Sequence, residues 1–235
     1  MTELQWQSDT RPMGMLLFLR EKASERKVLL FNYACCRRIW NHLDAEDQDA
    51  VERLEVCADD PAASREFQMQ LEPLRAAALA MAGFGDRNCP VSESLAQLLT
   101  NRTTVRLHLD GSQGPGIGSL AFKAARLSTM AEPEIARSAA QALEERGQAE
   151  LVREIFGNPF RSVVVDPTWR DWNGGTVLKL ARAIYNDGRF DLMPILADAL
   201  EDAGCNNPAV LTHCREPREH ARGCWLIDLI LSKHL

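Results

Sequence analysis

A strong helical pattern occupies residues 25–43, ERKVLLFNYACCRRIWNHL. Its large apolar residues recur at the spacing of one helical face, and these residues are Leu29, Tyr33, Cys36, Trp40 and Leu43. Ser24 precedes the stretch, in a position suited to a helix N-cap. The stretch therefore predicts a long amphipathic helix within an N-terminal helical bundle.

Helical patterns continue on both sides of an irregular middle segment. Residues 110–118 read DGSQGPGIG, which is the chemistry of turns and loops. After it, apolar spacing and turn residues predict helices over 133–146, 148–156, 176–185, 192–203, 209–214 and 224–231. The predicted fold class is mostly α, a multi-helix bundle with a glycine-rich middle. We divide it into an N-terminal bundle (1–85), a loop-rich segment (86–132) and a C-terminal helical module (133–235), with packing as one globule left open.

Composition predicts a globular cytoplasmic protein. The 235 residues are 46% apolar and 26% charged, which suits a folded chain with a real core. The 27 basic and 33 acidic residues give a formal charge of −6, which argues against a protein that coats nucleic acid. The N-terminus lacks the pattern of a signal peptide, and no apolar run reaches the ~20 residues that span a bilayer.

Seven cysteines are a high count for a chain without secretory features. In a reducing compartment an odd number of cysteines does not suggest a disulfide framework. They are then buried hydrophobic residues, metal ligands or reactive thiols.

The C-terminal cysteines have the spacing of a possible metal site. Cys205, Cys214, His220 and Cys224 form the pattern C-x8-C-x5-H-x3-C. Thiolates and imidazole are ligands of tetrahedral zinc, and the spacing resembles a CCCH-type zinc finger with the last two ligand types exchanged. A structural zinc ion is the metal hypothesis. The favoured interpretation needs no cofactor: it packs these thiols in the helical core, with His213 or His220 hydrogen-bonded at helix ends.

Motifs of catalysis and nucleotide binding are weak or missing in this sequence. Residues 116–121, GIGSLA, match a dinucleotide-binding turn, but the long proline-containing loop and the missing second strand favour a surface loop. No nucleophile elbow, zinc-protease or paired-carboxylate motif is found. We therefore lean against an enzyme.

The favoured function is a non-enzymatic cytoplasmic module that regulates or binds another protein. Trp169 and Trp172, placed in a predicted loop, are the candidate interaction surface, although packing in the core or between modules is the simpler role for them. One alternative is a small hydrolase or transferase with a pocket between the two helical ends. Another is a zinc-supported nucleic-acid-binding module with a basic face near Arg215, Arg218 and Arg222. We expect no membrane association.

Five short stretches carry a resemblance to a large paralogous group of uncharacterised bacterial proteins. They are FNYACCRRIW (31–40), EIFGNPF (154–160), LADALEDAGC (196–205), HCR (213–215) and HARGCW (220–225). The resemblance covers roughly the first 45 and the last 90 residues. It implies helical structure at both ends of the chain and no particular activity.

Overall fold

The computed structural model describes residues 1–38, 40–42, 45–60 and 134–233. Their regular structure consists of helices without strands, which confirms the predicted mostly-α class. The nine α-helices of these ranges are α1 (Glu3–Ser8), α2 (Pro12–Leu19), α3 (Glu25–Arg38), α4 (Ala45–Cys57), α5 (Glu134–Phe156), α6 (Pro167–Asp187), α7 (Met193–Asp202), α8 (Pro208–Arg215) and α9 (Trp225–Leu231). Short 3-10 turns lie at Trp40–His42 and Phe190–Leu192. The predicted glycine-rich middle segment (86–132) lies outside the described residues, as do the two domain boundaries predicted at its ends.

The chain divides into two compact units, residues 1–152 and 153–235. In the first unit, α3 buries the first part of the predicted stripe, with Leu29, Tyr33 and Cys36 each at most 5% exposed. The helix ends at Arg38 rather than at residue 43, so the partly buried Trp40 lies in a 3-10 turn, and Leu43 is outside the described residues. The N-terminal helices α1 and α2 were not predicted. Thr2 and Gln5 form a capping box at the start of α1, a pairing that the sequence pattern could have revealed.

Helix α5 runs through Gly147, where the sequence predicted a helix end. The reason lies in the packing of Arg38. This guanidinium forms two hydrogen bonds of 3.0 Å with the buried Glu144 carboxylate, one from Nε and one from Nη2. A Cβ at position 147 would lie only 2.1 Å from Arg38 Nη2, so the glycine makes room for this ion pair.

We predict that Gly147→Ala destabilises the protein by about 1–2 kcal/mol, because a displaced Arg38 leaves a buried carboxylate without its cation. In an ordinary helix interior the same change stabilises by about 0.5–1 kcal/mol. Gly14→Ala in α2 is the matched control, since its new Cβ would meet nothing closer than 3.5 Å. Urea denaturation measures both, and a Gly147→Ala variant as stable as Gly14→Ala would contradict the packing argument.

In the second unit, the segment predicted as a loop before residue 176 contains a helical turn. Asp166 caps α6 by accepting a hydrogen bond from the Thr168 backbone, and Pro167 begins the helix. Residues 172–175 depart from helical geometry, with three left-handed residues in succession, and the helix then resumes. Trp169 is buried in the core at 8% exposure, while Trp172 packs against that core partly buried.

These positions correct the picture of two loop tryptophans. Core packing explains Trp169, because the Asp166 cap starts a helix that turns the indole inward. Only Trp172 keeps surface that a partner could touch, and that role stays a prediction.

Helix α7 ends before Gly204, as predicted. Ile195 of this helix is 53% exposed, whereas Met193 and Ala197 are buried. The helix begins at Met193, after a 3-10 turn that contains Asp191. Among the described helices, none combines the length and apolarity needed to cross a membrane.

Candidate metal centre

Four potential metal ligands meet inside the second unit. Glu154 comes from the last turn of α5 and His213 from the last turn of α8. His220 lies between α8 and α9, and Cys224 is the N-cap residue of α9. One ligand atom from each of the four residues lies within 4.8 Å of the others.

Close pairs connect these atoms directly. His220 Nδ1 is 3.0 Å from Glu154 Oε1, and His213 Nε2 is 3.1 Å from Cys224 Sγ. His213 Nε2 also lies 3.5 Å from Glu154 Oε2. That second carboxylate oxygen is buried and receives no hydrogen bond of good geometry from the described residues.

Neighbouring side chains hold the imidazoles in place. The Trp225 indole donates a hydrogen bond of 3.2 Å to His213 Nδ1. The ring of Phe190 stacks on His220, with 6.1 Å between centroids. Gly157, with φ of +67°, lets the chain pass close to Trp225, because a Cβ there would lie 3.1 Å from the indole Cγ.

The cluster is sealed from solvent and contains an ionised carboxyl. The side chains of Glu154, His213 and His220 are 2, 5 and 7% exposed, and Cys224 is 1% exposed. Burial alone would raise the pKa of Glu154, but the hydrogen bond from His220 and the electrostatic effect of both imidazoles lower it below its ordinary value. A buried carboxylate of this kind needs a cationic partner, and in the described residues its ion-pair partners are histidines.

The side chains of His213 and Cys224 favour their neutral forms. Burial lowers the pKa of His213 to about 4, although the Glu154 charge acts in the opposite direction. Burial, followed by the negative charge of Glu154, raises the pKa of the Cys224 thiol well above its ordinary value. The cluster therefore brings an ionised carboxylate, two imidazoles and a thiol together in the core.

Three close pairs in the cluster are near the ligand spacing of a tetrahedral ion, while the four ligand atoms as a set lie within 4.8 Å of one another. Zinc bonds of about 2.0–2.1 Å to nitrogen or oxygen and about 2.3 Å to sulfur give ligand-to-ligand separations of about 3.3–3.6 Å. The observed separations of 3.0, 3.1 and 3.5 Å are at or slightly below that range. This buried group of one Glu, two His and one Cys could hold a metal ion.

The structure brings together two of the four ligands named from the sequence. His220 and Cys224 belong to the cluster, whereas Cys205 and Cys214 are buried in the apolar core and are not members of it. In that core, burial raises the pKa of Cys214 to about 12, which suits a packed thiol.

Glu154 and His213 were not proposed as ligands. Glu154 lies 59 residues before His213 on another helix, so local spacing could not indicate it. The sequence signal, if any, was an acidic residue directly before the apolar Ile155 and Phe156 at a helix end.

The arrangement also resembles a cysteine nucleophile with its base, but two features oppose that role. Cys224 is buried, so a substrate has no access to its sulfur. In a catalytic pair the base orients its second ring nitrogen as a donor to an acceptor, leaving the first nitrogen free to take a proton. Here Trp225, a pure donor, occupies that second position.

Comparisons with known proteins add no function. No protein-family model matches the chain, and neither curated proteins nor solved structures match it significantly. The resemblance to the bacterial group therefore stays a prediction.

We predict that brief alkylation of the native protein modifies Cys57 well before Cys205, Cys214 or Cys224. Only the thiolate reacts, and the last three thiols are buried whereas Cys57 is partly exposed. Peptide mapping by mass spectrometry gives the order of modification, and the same reaction in denaturant serves as the control. Labelling of Cys224 at the rate of Cys57 would contradict the sealed site.

Proposed function

We propose that residues 153–235 form a metal-stabilised, non-enzymatic helical module that binds another protein. In this proposal Glu154, His213, His220 and Cys224 hold one structural zinc ion. The ion would supply positive charge inside the core and a cross-link between three helix ends.

The observation that carries the metal assignment is the closed set of four ligand atoms around a buried carboxylate. Structural zinc sites have four protein ligands, whereas catalytic sites keep one position open for water or substrate. Burial of every member of the cluster supports the structural type. One thiolate and one carboxylate would together balance the charge of a divalent ion.

The ligand positions explain what such a site would stabilise. The ends of α5 and α8 and the start of α9 each contribute at least one ligand. A metal ion bound at these points would cross-link two short helices, α8 with eight residues and α9 with seven. Helices of this length are marginal alone, so metal binding can contribute directly to folding.

Exposed apolar side chains of the same unit support a role in protein binding. Val164 is 79% exposed, Ile195 is 53% exposed and Phe160 is 39% exposed. Exposed apolar side chains indicate an interface where they form a contiguous patch, and Phe160 and Val164 lie only four residues apart in the chain. The partly buried Trp172 belongs to the same unit and could add an aromatic contact.

The nucleic-acid alternative receives less support from the charges. Arg215 pairs with Asp198 and Glu201, and Arg218 pairs with Glu216. Arg222 lies over the ring of Tyr185, at 4.5 Å from its centroid. The acidic partners of Arg215 and Arg218 neutralise two of these three cations, which weakens the case for a continuous basic face.

We predict one zinc ion per chain in protein refolded with zinc and passed over a desalting column. Cys224→Ser and Glu154→Gln should abolish it, because each removes a ligand. Cys214→Ser is the matched control, since it makes the same change at an equally buried thiol outside the cluster and should keep the metal. Removal of zinc by a chelator should lower the free energy of unfolding of the wild type by about 3 kcal/mol or more. This is the stabilisation that a ligand gives the folded state when its concentration is well above its Kd.

Elemental analysis and thermal denaturation with and without chelator measure these outcomes. Wild-type protein without zinc would reject the metal site. Loss of zinc from Cys214→Ser with retention in Glu154→Gln would instead favour the ligands suggested by spacing alone.

If this surface binds a protein partner, Val164→Asp should lower recovery of that partner from host extract at least about tenfold. This is the effect of losing roughly 1.4 kcal/mol of binding free energy. Leu143→Asp is the control, because Leu143 is 67% exposed but belongs to the other unit. Quantitative affinity purification compares the two variants with the wild type. Equal recovery of every partner with Val164→Asp, Phe160→Asp and Trp172→Ala would oppose this surface.

A further inference from the structure

The hydrogen bond between Trp225 and His213 determines which imidazole nitrogen carries the proton. An indole N–H can only donate, so His213 Nδ1 accepts in the observed bond of 3.2 Å. A neutral imidazole carries one proton, which must then be on Nε2. That nitrogen faces the centre of the cluster, 3.1 Å from Cys224 Sγ and 3.5 Å from Glu154 Oε2.

Metal ligation requires the opposite arrangement. The nitrogen that faces the cluster must offer a lone pair, so the proton must move to Nδ1. Metal-bound histidines normally donate this second N–H to a carboxylate, a carbonyl or water. In this protein the Nδ1–H would instead face the indole N–H of Trp225, and two donors cannot form a hydrogen bond with each other.

We propose that metal binding at His213 and the Trp225–His213 hydrogen bond exclude one another. Trp225 thereby stabilises the metal-free form and sets the zinc affinity of the site below what its four ligands alone would give. This inference rests on the proposed metal site and adds its regulation by a neighbouring side chain.

The surroundings of Trp225 make the conflict difficult to relieve by a small shift. Trp225 directly follows the ligand Cys224 and begins α9. Its ring packs so closely against Gly157 that a Cβ added there would approach the indole to 3.1 Å. The indole also contacts the His213 ring at 5.0 Å between centroids. Metal binding must therefore break the hydrogen bond rather than carry the indole along.

The test compares zinc affinity in the wild type and in Trp225→Phe by competition with a chromophoric chelator. Phenylalanine keeps an aromatic ring and removes the donor. We expect Trp225→Phe to bind zinc more tightly, by roughly 2- to 12-fold, the range that one net hydrogen bond represents. Trp169→Phe, a buried tryptophan of the same core, should leave the affinity unchanged. A purely structural role for Trp225 predicts the opposite sign, weaker binding.

The indole N–H signals in a nitrogen–proton correlation spectrum give a second readout. Addition of zinc should move the Trp225 signal away from its hydrogen-bonded position while that of Trp169 stays in place. Zinc binding that Trp225→Phe leaves equal or weakens, or an unmoved Trp225 signal, would overturn this inference and leave the metal site intact. Absence of zinc binding by the wild type would reject both.

Discussion

The burial of the Glu154 carboxylate is the constraint on which the second unit depends. An ionised carboxyl in a protein core is costly unless charge and hydrogen bonds compensate it. Burial favours the neutral acid here, but the His220 hydrogen bond and the electrostatic effect of both imidazoles together lower the pKa of Glu154. The ends of α5 and α8, the loop before α9 and the N-cap residue of α9 converge on this one group. The packing of these helix ends therefore follows from the need to compensate the charge of the buried carboxylate.

Hydrogen-bond polarity distinguishes the roles that the same residue types could have. A cysteine, a histidine and a carboxylate in contact occur in hydrolases as well as in metal sites. The donor at His213 Nδ1 and the burial of Cys224 oppose nucleophilic chemistry. A metal ion can shift the imidazole proton, because apparent binding energies of structural zinc, about 10–16 kcal/mol, far exceed one net hydrogen bond of about 1 kcal/mol.

Sequence periodicity predicted several helices of the fold because each helical face is a local pattern. The stripe of Leu29, Tyr33 and Cys36 is buried as expected, and α8 and α9 lie close to their predicted bounds. Gly147 shows the limit of this reasoning. As a residue type it indicates a helix end, yet here it accommodates Arg38, which is 109 positions away in the sequence. Such a long-range contact leaves no trace in local spacing.

The metal ligands also divide into those that local spacing can indicate and those that it cannot. His220 and Cys224 could be found because they are close in sequence, and the cysteine-rich spacing directed attention to Cys205 and Cys214 beside them. Spacing cannot tell a thiol that faces the apolar core from one that faces a polar cluster. Glu154 comes from a distant helix, and its role depends on tertiary packing that brings α5 to α8 and α9.

X-ray absorption spectroscopy at the zinc edge tests the central claim most directly, because it counts sulfur ligands. A site built by Glu154, His213, His220 and Cys224 predicts one sulfur at about 2.3 Å and three nitrogen or oxygen ligands at about 2.0–2.1 Å. Three sulfur ligands would instead identify the cysteine set of Cys205, Cys214 and Cys224, and would contradict the account given by the structure.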